Sequence, residues 1–251
     1  MLIIHIRLCR LPQDADPDAQ SARAALLTPG ELARCRRLPE PHAARALVAR
    51  ALVRSELGGA LGVAPAALDF AAGEHGKPFV LDPPQPLVFN LSHSGEWLAL
   101  AWHVHPGEAP LGIDVEHVLN HRREVMRLAR RYFSPAERAT LGALEGASQR
   151  SLFHRLWTLK EAWVKAHGLA LAPQLGAVSF SLRGDSLALE NGTSHASGRL
   201  LHAALADEAW LSLCLLGDSR LPVGLDVRLG VPLGSWTSLS TRGWLGPLAR
   251  A

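Results

Sequence analysis

The spacing of apolar residues in the first part of the chain changes several times between the period of a strand and that of a helix. Residues 2–10 alternate weakly and predict a first strand. Thr28 and Glu31 are spaced as a capping box, which predicts the start of a helix. Residues 44–57 carry an apolar stripe at helical spacing that ends before two glycines. Short apolar runs between turn residues predict four further strands, at residues 68–71, 79–81, 88–92 and 97–104.

The second part of the chain shows a similar mixture of elements. Residues 111–116 alternate cleanly between apolar and polar positions, which predicts a strand with one buried face. The residues that follow Ser134 have the order typical of a helix start. Two further helices are predicted at residues 122–132 and 152–167. An antiparallel meander of four strands is predicted at residues 178–182, 187–190, 199–204 and 210–216.

Pro and Gly residues at 106–110 form the best candidate linker, near the middle of the patterned chain. We therefore predict an α+β protein whose two halves, nearly equal in length, each contain helices and several antiparallel strands. The remaining residues are rich in Gly, Pro and Ser, which is typical of a poorly ordered tail. Residues 224–227 echo residues 112–115, but no strong internal repeat accompanies this echo and we interpret it as chance. The predicted units are residues 1–108, residues 109–216 and a C-terminal tail, residues 217–251.

Composition limits the class of protein. A chain of 251 residues with 48% hydrophobic and 20% charged residues is neither disordered nor fibrous. No apolar run reaches the roughly 18 residues of a membrane span, and the start of the chain lacks a signal-peptide cleavage pattern. Three widely separated cysteines fit a reducing compartment, so we expect a cytoplasmic protein without a membrane segment. The net charge of +3 favours acidic partners but is too small to indicate nucleic acid.

Lysine is rare in this chain. Of the 26 basic residues only three are lysine, Lys77, Lys160 and Lys165, and the others are arginine. Lysine is a compact point charge that can titrate, so arginine cannot replace it in proton transfer. Chance and a chemical role both explain three lysines until their neighbours are considered.

Carboxylates that can bind a cation occur in two separate elements. Asp114 and Glu116 lie two residues apart on a predicted strand, so both side chains point from one face. This pair is either an ordinary solvated face or a site for a hard cation such as Mg²⁺, which prefers oxygen ligands. Glu161 lies on a predicted helix between Lys160 and Lys165, one turn before the latter. That arrangement is either a weak surface ion pair or a second part of the site.

Further segments offer groups that suit phosphate. Lys77 lies in a predicted Gly-Lys-Pro turn. A predicted strand ends near Ser92 and His93, whose hydroxyl and imidazole suit phosphate, whereas the absence of a Gly-x-Ser-x-Gly motif disfavours a serine hydrolase. Two arginine-rich helical segments, residues 31–56 and 122–138, are either solvated faces or surfaces that bind phosphate or an acidic protein.

Five segments, taken in order, resemble the 4'-phosphopantetheinyl transferases of the long, surfactin-synthetase-activating (Sfp) type. The resemblance covers roughly residues 27–216, and it is specific because the five motifs keep their order and spacing. It implies two similar α+β halves with pseudo-twofold symmetry and an active site between them. The segments are Gly76-Lys-Pro, Phe89-Asn-Leu-Ser-His-Ser-Gly, Leu111-Gly-Ile-Asp-Val-Glu, Arg131-Tyr-Phe-Ser-Pro-Ala-Glu-Arg and Leu156-Trp-Thr-Leu-Lys-Glu-Ala-Trp-Val-Lys.

The resemblance also implies roles for individual residues. Those that it assigns to Mg²⁺, or to Mn²⁺ in its place, are Asp114, Glu116 and Glu161. Those that it assigns to coenzyme A, mainly to its phosphates, are Arg45, Lys77, Ser92, His93 and Lys160. Those that it assigns to catalysis are Glu161, as acceptor of the serine proton, and Lys165, at the transferred phosphate.

The implied reaction moves the 4'-phosphopantetheine group from coenzyme A to a serine of an apo acyl- or peptidyl-carrier protein and releases 3',5'-ADP. The alternative is a non-catalytic module that binds coenzyme A or a carrier protein. Since pure binding does not need the carboxylates together with Lys165, we prefer the enzyme. A nucleic-acid binder is disfavoured because interleaved exposed aromatic residues are lacking. Two halves in one chain favour a monomer, and the sequence leaves open whether the acidic carrier serves fatty-acid, polyketide or nonribosomal-peptide synthesis.

Overall fold

Two mainly antiparallel sheets form the framework of the protein. In this computed structural model the described residues are 1–11, 16–107, 109–118, 125–183, 186–191, 197–205, 208–239 and 244–247. Their strands are β1 (Leu2–Arg10), β2 (Phe70–Ala72), β3 (Pro78–Val80), β4 (Leu87–Ser94), β5 (Trp97–Val104), β6 (Leu111–His117), β7 (Ser179–Arg183), β8 (Ser186–Asn191), β9 (Gly198–Leu205), β10 (Ala209–Leu216), β11 (Val223–Gly230), β12 (Trp236–Ser238) and β13 (Trp244–Pro247). Their helices are α1 (Pro17–Ala24), α2 (Pro29–Arg36), α3 (His42–Leu61), α4 (Val125–Tyr132), α5 (Pro135–Gly142), α6 (Gly146–Ala166) and α7 (Leu171–Gln174), with a 3₁₀ turn at Pro65–Ala67.

The first sheet has the strand order β12-β11-β1-β5-β4, and the second has the order β13-β9-β10-β6. Neighbouring strands in both sheets are antiparallel except β1 and β11, which run parallel. The hairpins β2–β3 and β7–β8 form two separate small sheets. The large sheets share one apolar core, to which Ile4 and Ile6 of β1 and Ile113 of β6 contribute. The predicted α+β class with antiparallel sheets is confirmed.

A long helix packs on each large sheet. Helix α3 packs Leu52 against Phe89 of the first sheet, and α6 packs Trp163 in a cluster with Cys214 of the second sheet. Each half follows the same order: a strand, short helices, the long helix, a hairpin and a pair of strands. The division between residues 108 and 109 stays a prediction, since residue 108 lies outside the described residues.

The two halves also share a side-chain arrangement. Both predicted capping boxes form, at the starts of α2 and α5. The glutamate of each box also binds a cation of the following long helix: Glu31 binds Arg54 at 2.7 Å, and Glu137 binds Lys160 at 2.8 Å. The interval from glutamate to cation is the same in both halves. The halves therefore repeat a contact although the residue types reveal no strong repeat.

Most of the predicted C-terminal tail is part of the fold. Strand β11 extends the first sheet beside β1 along the length of both strands, and β12 pairs with β11. Asp226 of β11 accepts a hydrogen bond of 3.1 Å from Arg7 of β1. The expectation of poor order was therefore wrong for residues 217–239, because backbone pairing and an ion pair hold them. Residues 240–243 and 248–251 lie outside the described residues.

Helix α3 runs past its predicted end before Gly58 because Leu61 is still buried, at 5% exposure. Gly62, with a φ of +68°, then ends the helix in the left-handed conformation that glycine tolerates. The predicted beginning of α4, residues 122–124, lies outside the described residues.

Among the helices that the structure describes, none has both the length and the apolar character needed to cross a membrane.

Candidate active site

Strand β6 lies directly against helix α6, and this contact creates the candidate site. A Cβ atom at Gly112 of β6 would overlap the carbonyl oxygen of Ala162 and the backbone nitrogen of Ala166, both on α6. Glycine is therefore required for so close an approach. Asp114 lies two residues further along the strand and shares the face of Gly112 that meets the helix. The Leu-Gly-Ile-Asp sequence thus places a carboxylate against α6.

Lys165 of α6 lies between two carboxylates that are far apart in the sequence. Its Nζ lies 2.6 Å from Asp114 Oδ1 and 3.1 Å from Glu161 Oε2. The expected pair of Glu161 and Lys165, one helical turn apart, therefore forms, and it extends to the strand. Asp114 is 2% exposed, and both partners on α6 are largely buried. This is a charged cluster within the fold rather than a solvated surface pair.

Strand β4 supplies hydroxyl groups to the same cluster from the other half of the chain. Ser92 Oγ donates to Asp114 Oδ1 at 2.7 Å and accepts a bond of 3.1 Å from Lys165 Nζ. Ser94 Oγ donates to Glu116 Oε2 at 2.6 Å. Because the side chains of β4 and β6 alternate with the same period, the two hydroxyl–carboxylate pairs have matching spacing. The site therefore forms where the two halves meet.

Burial and charge shift the pKa values in this cluster. Burial raises the pKa of the Asp114 carboxyl well above its usual range, while Lys165 opposes that shift. Burial alone would lower the pKa of the Lys165 ammonium, but the Asp114 and Glu161 carboxylates outweigh it and raise that pKa. Asp114 Oδ2 is buried without a hydrogen-bond partner in the described structure. Such an atom is costly unless a further cation or donor joins the site.

The carboxylates fit a hard cation chemically but do not form a closed cage. In the described part of the chain, no three Asp, Glu, His or Cys side chains are arranged so that they could hold a metal ion. Asp114 and Glu161 meet at the Lys165 ammonium, whereas Glu116 bonds to Ser94. The assignment of Asp114, Glu116 and Glu161 to one divalent cation therefore stays a prediction. The unpartnered Asp114 Oδ2 and the all-oxygen donor set still fit a divalent cation such as Mg²⁺.

Lys77 joins the two halves through backbone carbonyls. Its Nζ donates to the carbonyl oxygen of Leu111 at 2.7 Å and to that of Lys165 at 2.8 Å. Burial lowers the pKa of Lys77 to about 8. Since an ammonium has three N–H groups, one remains for a phosphate. The predicted phosphate contact of Lys77 stays a prediction, and the structure adds a bridging role.

A basic cavity of about 790 Å³ lies between α2, α3, the β2–β3 hairpin and β4. Arg45 and His93, both predicted to contact phosphates, line it together with Arg34 and Arg50. Burial lowers the pKa of His93, and the positive charges of Arg45 and Lys165 lower it further. Lys165 bonds to the Ser92 hydroxyl, and Ser92 directly precedes His93 on β4. Because successive side chains of a strand point to opposite faces, the cavity and the carboxylate cluster lie on the two faces of β4.

Lys160 lies away from this region. Its Nζ is fully buried, pairs with Glu137 at 2.8 Å and donates to the carbonyl oxygens of Leu175 and Val178. The expectation that Lys160 contacts coenzyme A was therefore wrong. Lys160 and Glu161 are consecutive residues of α6, so their side chains point about 100° apart around the helix axis. Lys160 belongs to the contact that the two halves repeat.

Two further polar residues of β4 belong to the contact between the halves, although the sequence patterns did not predict them. Asn90 accepts a hydrogen bond of 2.8 Å from the backbone N–H of Ile113, and Ser94 bonds to Glu116. Together with Ser92 they occupy every second position from residue 90 to residue 94 of β4. That alternation was the available signal, because three polar side chains on one buried face need partners.

Comparison with known proteins matches both halves of the chain. Residues 110–214 match the family described as the 4'-phosphopantetheinyl transferase superfamily. Residues 16–105 match a second model, described as 4'-phosphopantetheinyl transferase, N-terminal. The two matches meet near the predicted linker and together include the cavity and the carboxylate cluster.

Similar proteins bear related names. A 4'-phosphopantetheinyl transferase of Bacillus subtilis is 34% identical over 153 residues, which are 61% of this chain and 65% of that protein. The 4'-phosphopantetheinyl transferase HetI of Nostoc sp. is 37% identical over 175 residues, 68% of this chain and 72% of that protein. The 4'-phosphopantetheinyl transferase Sfp of Bacillus subtilis strain 168 is 31% identical over 173 residues, 68% of this chain and 74% of that protein.

Proposed function

Because the chain belongs to the 4'-phosphopantetheinyl transferase family, we propose that it transfers the 4'-phosphopantetheine group of coenzyme A to a serine of an apo carrier protein and releases 3',5'-ADP. The acceptor is an acyl- or peptidyl-carrier protein or domain. The observation that carries this proposal is the position of Lys165. Its ammonium lies between the Asp114 and Glu161 carboxylates and bonds to Ser92, the residue before His93 of the basic cavity.

The cavity suits the nucleotide end of coenzyme A. Apolar side chains such as Val53 and Phe70 line it beside the arginines and can cover a base, while Arg45 and His93 can contact phosphates. Coenzyme A carries several phosphate charges, so a cavity lined by arginine favours its binding. We infer that the pyrophosphate extends from His93 to Lys165, which are linked on β4 through Ser92.

A divalent cation would complete the charge balance. The three carboxylates and a pyrophosphate would repel one another in one site, and the lysine ammonium neutralises only part of that charge. Asp114, Glu116 and Glu161 are the residues that would hold Mg²⁺, or Mn²⁺ in its place. When bound, the cation supplies Lewis-acid stabilisation of the charge on the pyrophosphate oxygens.

The protein's own groups manage the proton and the leaving group. In the proposed step the serine oxygen bonds to the β-phosphorus of coenzyme A, and the bond from that phosphorus to the bridging oxygen breaks. Glu161 accepts the serine proton, directly or through water, a role that typically contributes about 10² to 10⁴ in rate. The raised pKa of Lys165 keeps that side chain charged. Lys165 therefore stabilises the leaving 3',5'-ADP by charge.

Helix α4 offers a surface for an acidic carrier. Arg127, Arg130 and Arg131 are exposed on it, while Val125 and Ala129 pack into the core beside α6. Opposite charges on the two partners would steer their encounter and weaken with added salt. We place the reaction in a monomer and in a reducing compartment, since Cys9, Cys35 and Cys214 are free and buried, and a single chain supplies both halves of the site.

The test is to incubate the protein with coenzyme A, Mg²⁺ and a panel of apo carrier proteins. The carrier should gain about 340 Da, the mass of the transferred group. Carriers from fatty-acid, polyketide and nonribosomal-peptide systems in the panel identify the substrate class. A carrier whose acceptor serine is replaced by alanine is the control and should gain nothing. Binding of coenzyme A without any mass gain across the panel would favour the non-catalytic module instead.

A further inference from the structure

A closed ring of hydrogen bonds clamps α6 to strands β9 and β10 beside the candidate site. Arg155 Nε donates to His202 Nε2 at 3.2 Å. His202 Nδ1 lies 2.9 Å from Ser212 Oγ. Ser212 Oγ donates to Thr158 Oγ1 at 2.9 Å, and Thr158 Oγ1 donates to the carbonyl oxygen of Arg155 at 3.1 Å. The ring thus begins and ends at Arg155.

The donors and acceptors of this ring are consistent with one arrangement of hydrogens. Because a guanidinium can only donate, His202 Nε2 is an acceptor and its proton lies on Nδ1. That N–H donates to the Ser212 hydroxyl. The Ser212 hydroxyl donates to Thr158, and the Thr158 hydroxyl donates to the Arg155 carbonyl oxygen. Burial and the charge of Arg155 lower the pKa of His202 to about 3, so the imidazole is neutral at physiological pH. Each hydrogen bond of the ring therefore has one donor and one acceptor.

Contacts with Trp210 stabilise the side of the ring that Arg155 and His202 form. The Arg155 guanidinium lies 5.0 Å from the centre of the Trp210 ring. The Trp210 and His202 rings are stacked with centres 5.0 Å apart and planes 8° apart. A cation over an aromatic face is attractive, and the stack limits the orientations available to both side chains. Trp210 therefore keeps Arg155 and His202 in the geometry that closes the ring.

The ring touches the elements that carry the candidate metal ligands. On the second sheet Ser212 is paired with Asp114, so both side chains lie on the same face in adjacent strands. Trp210 is paired in the same way with Glu116. On α6, Thr158 precedes Glu161 by three residues, which places both on one side of the helix. A shift of α6 along the sheet would change the separation of Glu161 from Asp114 and would also break the ring.

We propose that the ring of Arg155, Thr158, His202 and Ser212 is a positioning network that sets the separation of Glu161 from Asp114 and thereby the affinity of the site for a divalent cation. None of the four residues touches the reacting groups. The proposal rests on the proposed function for its kinetic consequence, whereas cation binding tests it without any turnover. Loss of groups that orient metal ligands typically weakens metal affinity about 10-fold or more.

The experiment measures Mn²⁺ binding to the protein by titration calorimetry, without coenzyme A or carrier. Ser212→Ala, which opens the ring, should raise the dissociation constant about 10-fold. Arg155→Gln opens the ring at the partly exposed side chain and provides a second variant in case Ser212→Ala fails to fold. Thr158→Ser keeps the hydroxyl and should bind as the wild type does. Ser55→Ala removes a hydroxyl bonded to a carbonyl on α3 and is the matched control.

Steady-state kinetics give a second readout. Ser212→Ala and Arg155→Gln should raise the Mg²⁺ concentration needed for half-maximal rate and leave the KM for coenzyme A within about twofold of the wild type, because neither residue lines the cavity. Mn²⁺ binding equal to the wild type in both folded variants would overturn the proposal. Equal weakening by Ser55→Ala would overturn it as well. Failure of the proposed function is a different result, the absence of mass gain on every carrier.

Discussion

Ser94 and Glu116 face each other where the two halves meet, with the Ser94 hydroxyl donating to the Glu116 carboxylate at 2.6 Å. Two residues earlier on each strand, Ser92 makes the equivalent bond to Asp114. The carboxylates of the second half are therefore held by hydroxyls of the first half. It follows that the candidate site exists only while β4 and β6 remain together.

Removal of the Ser94 hydroxyl should weaken the contact between the halves. Ser94 donates to Glu116 and also accepts a bond of 3.1 Å from the backbone N–H of His117. Hydrogen bonds to charged groups contribute about 1.5–3 kcal/mol, so Ser94→Ala should lower the free energy of unfolding by about that amount. Urea unfolding measures it. Ser94→Thr keeps the hydroxyl as a control, and unchanged stability of Ser94→Ala would contradict the assigned contact.

The role proposed for Glu161 can be separated from a structural role on α6. Glu161→Gln keeps the size of the side chain but removes the proton acceptor, so kcat should fall by about 10²- to 10⁴-fold. Binding of coenzyme A should persist, because Glu161 does not line the cavity. Glu145→Gln, at the exposed start of α6, is the control and should keep full rate. Turnover of Glu161→Gln at the wild-type rate would remove Glu161 from the mechanism.

Replacement by methionine should affect stability at Lys160 and transfer activity at Lys165, although both lysines lie on α6. Lys160 is fully buried against Glu137, so Lys160→Met leaves a buried carboxylate unpaired and should cost about 3–5 kcal/mol of stability. Lys165→Met also leaves a buried carboxylate, Asp114, without its cation and should lower stability, but unlike Lys160→Met it should also abolish transfer. Lys165→Arg should also be slow, since the larger planar group cannot take the position of a compact ammonium between Asp114 and Glu161. Calorimetric melting and the carrier-mass assay measure the two effects, and a Lys160→Met variant as stable as the wild type would contradict the first.

The contrast between these lysines shows what the sequence could and could not predict. The spacing of Glu161 and Lys165 was enough to predict their pair, because one helical turn fixes that geometry. The alternation around Asp114 likewise predicted a strand with its carboxylates on one face. No local pattern told Lys160 from Lys165, because the partner of each, Glu137 or Asp114, comes from a different element.

Long-range pairing also explains what the sequence missed in the fold. Residues 223–230 were predicted to belong to a tail because the chain after residue 216 is rich in Gly, Pro and Ser. Strand β11 is nevertheless stabilised by pairing with β1, more than 200 residues earlier. Strand pairing over such a distance leaves little trace in local composition. The polar alternation of β4 was visible, but its partner strand could not be inferred from spacing. Residue roles in coenzyme A binding and catalysis remain predictions for the experiments above.

The pH dependence of stability tests the environment of Lys77. Its pKa falls from the ordinary 10.5 to about 8 in the folded protein because of burial. Between these values the unfolded chain binds more protons than the folded one, so the contribution of Lys77 to folding stability increases as pH rises. The wild type should therefore gain stability relative to Lys77→Met between about pH 8 and 10. Urea unfolding of both proteins at pH 7, 8.5 and 9.5 checks this, and parallel curves would contradict the buried ammonium.

Acid should loosen the C-terminal strand through Asp226. Burial raises the pKa of this carboxyl, but hydrogen bonds from His5 and Arg228 and the charge of Arg7 outweigh burial and lower the pKa to about 2 from the ordinary 3.8. Asp226 therefore stabilises the fold fully above about pH 4, and its contribution disappears as pH falls toward 2. Asp226→Asn lacks the charge at every pH, so its deficit against the wild type should shrink over that window. Asp218→Asn, whose carboxylate bonds only to nearby Arg220 in the described structure, is the control. A deficit of Asp226→Asn that stays constant from pH 5 to 2 would mean that the ion pairs on β11 do not hold this strand.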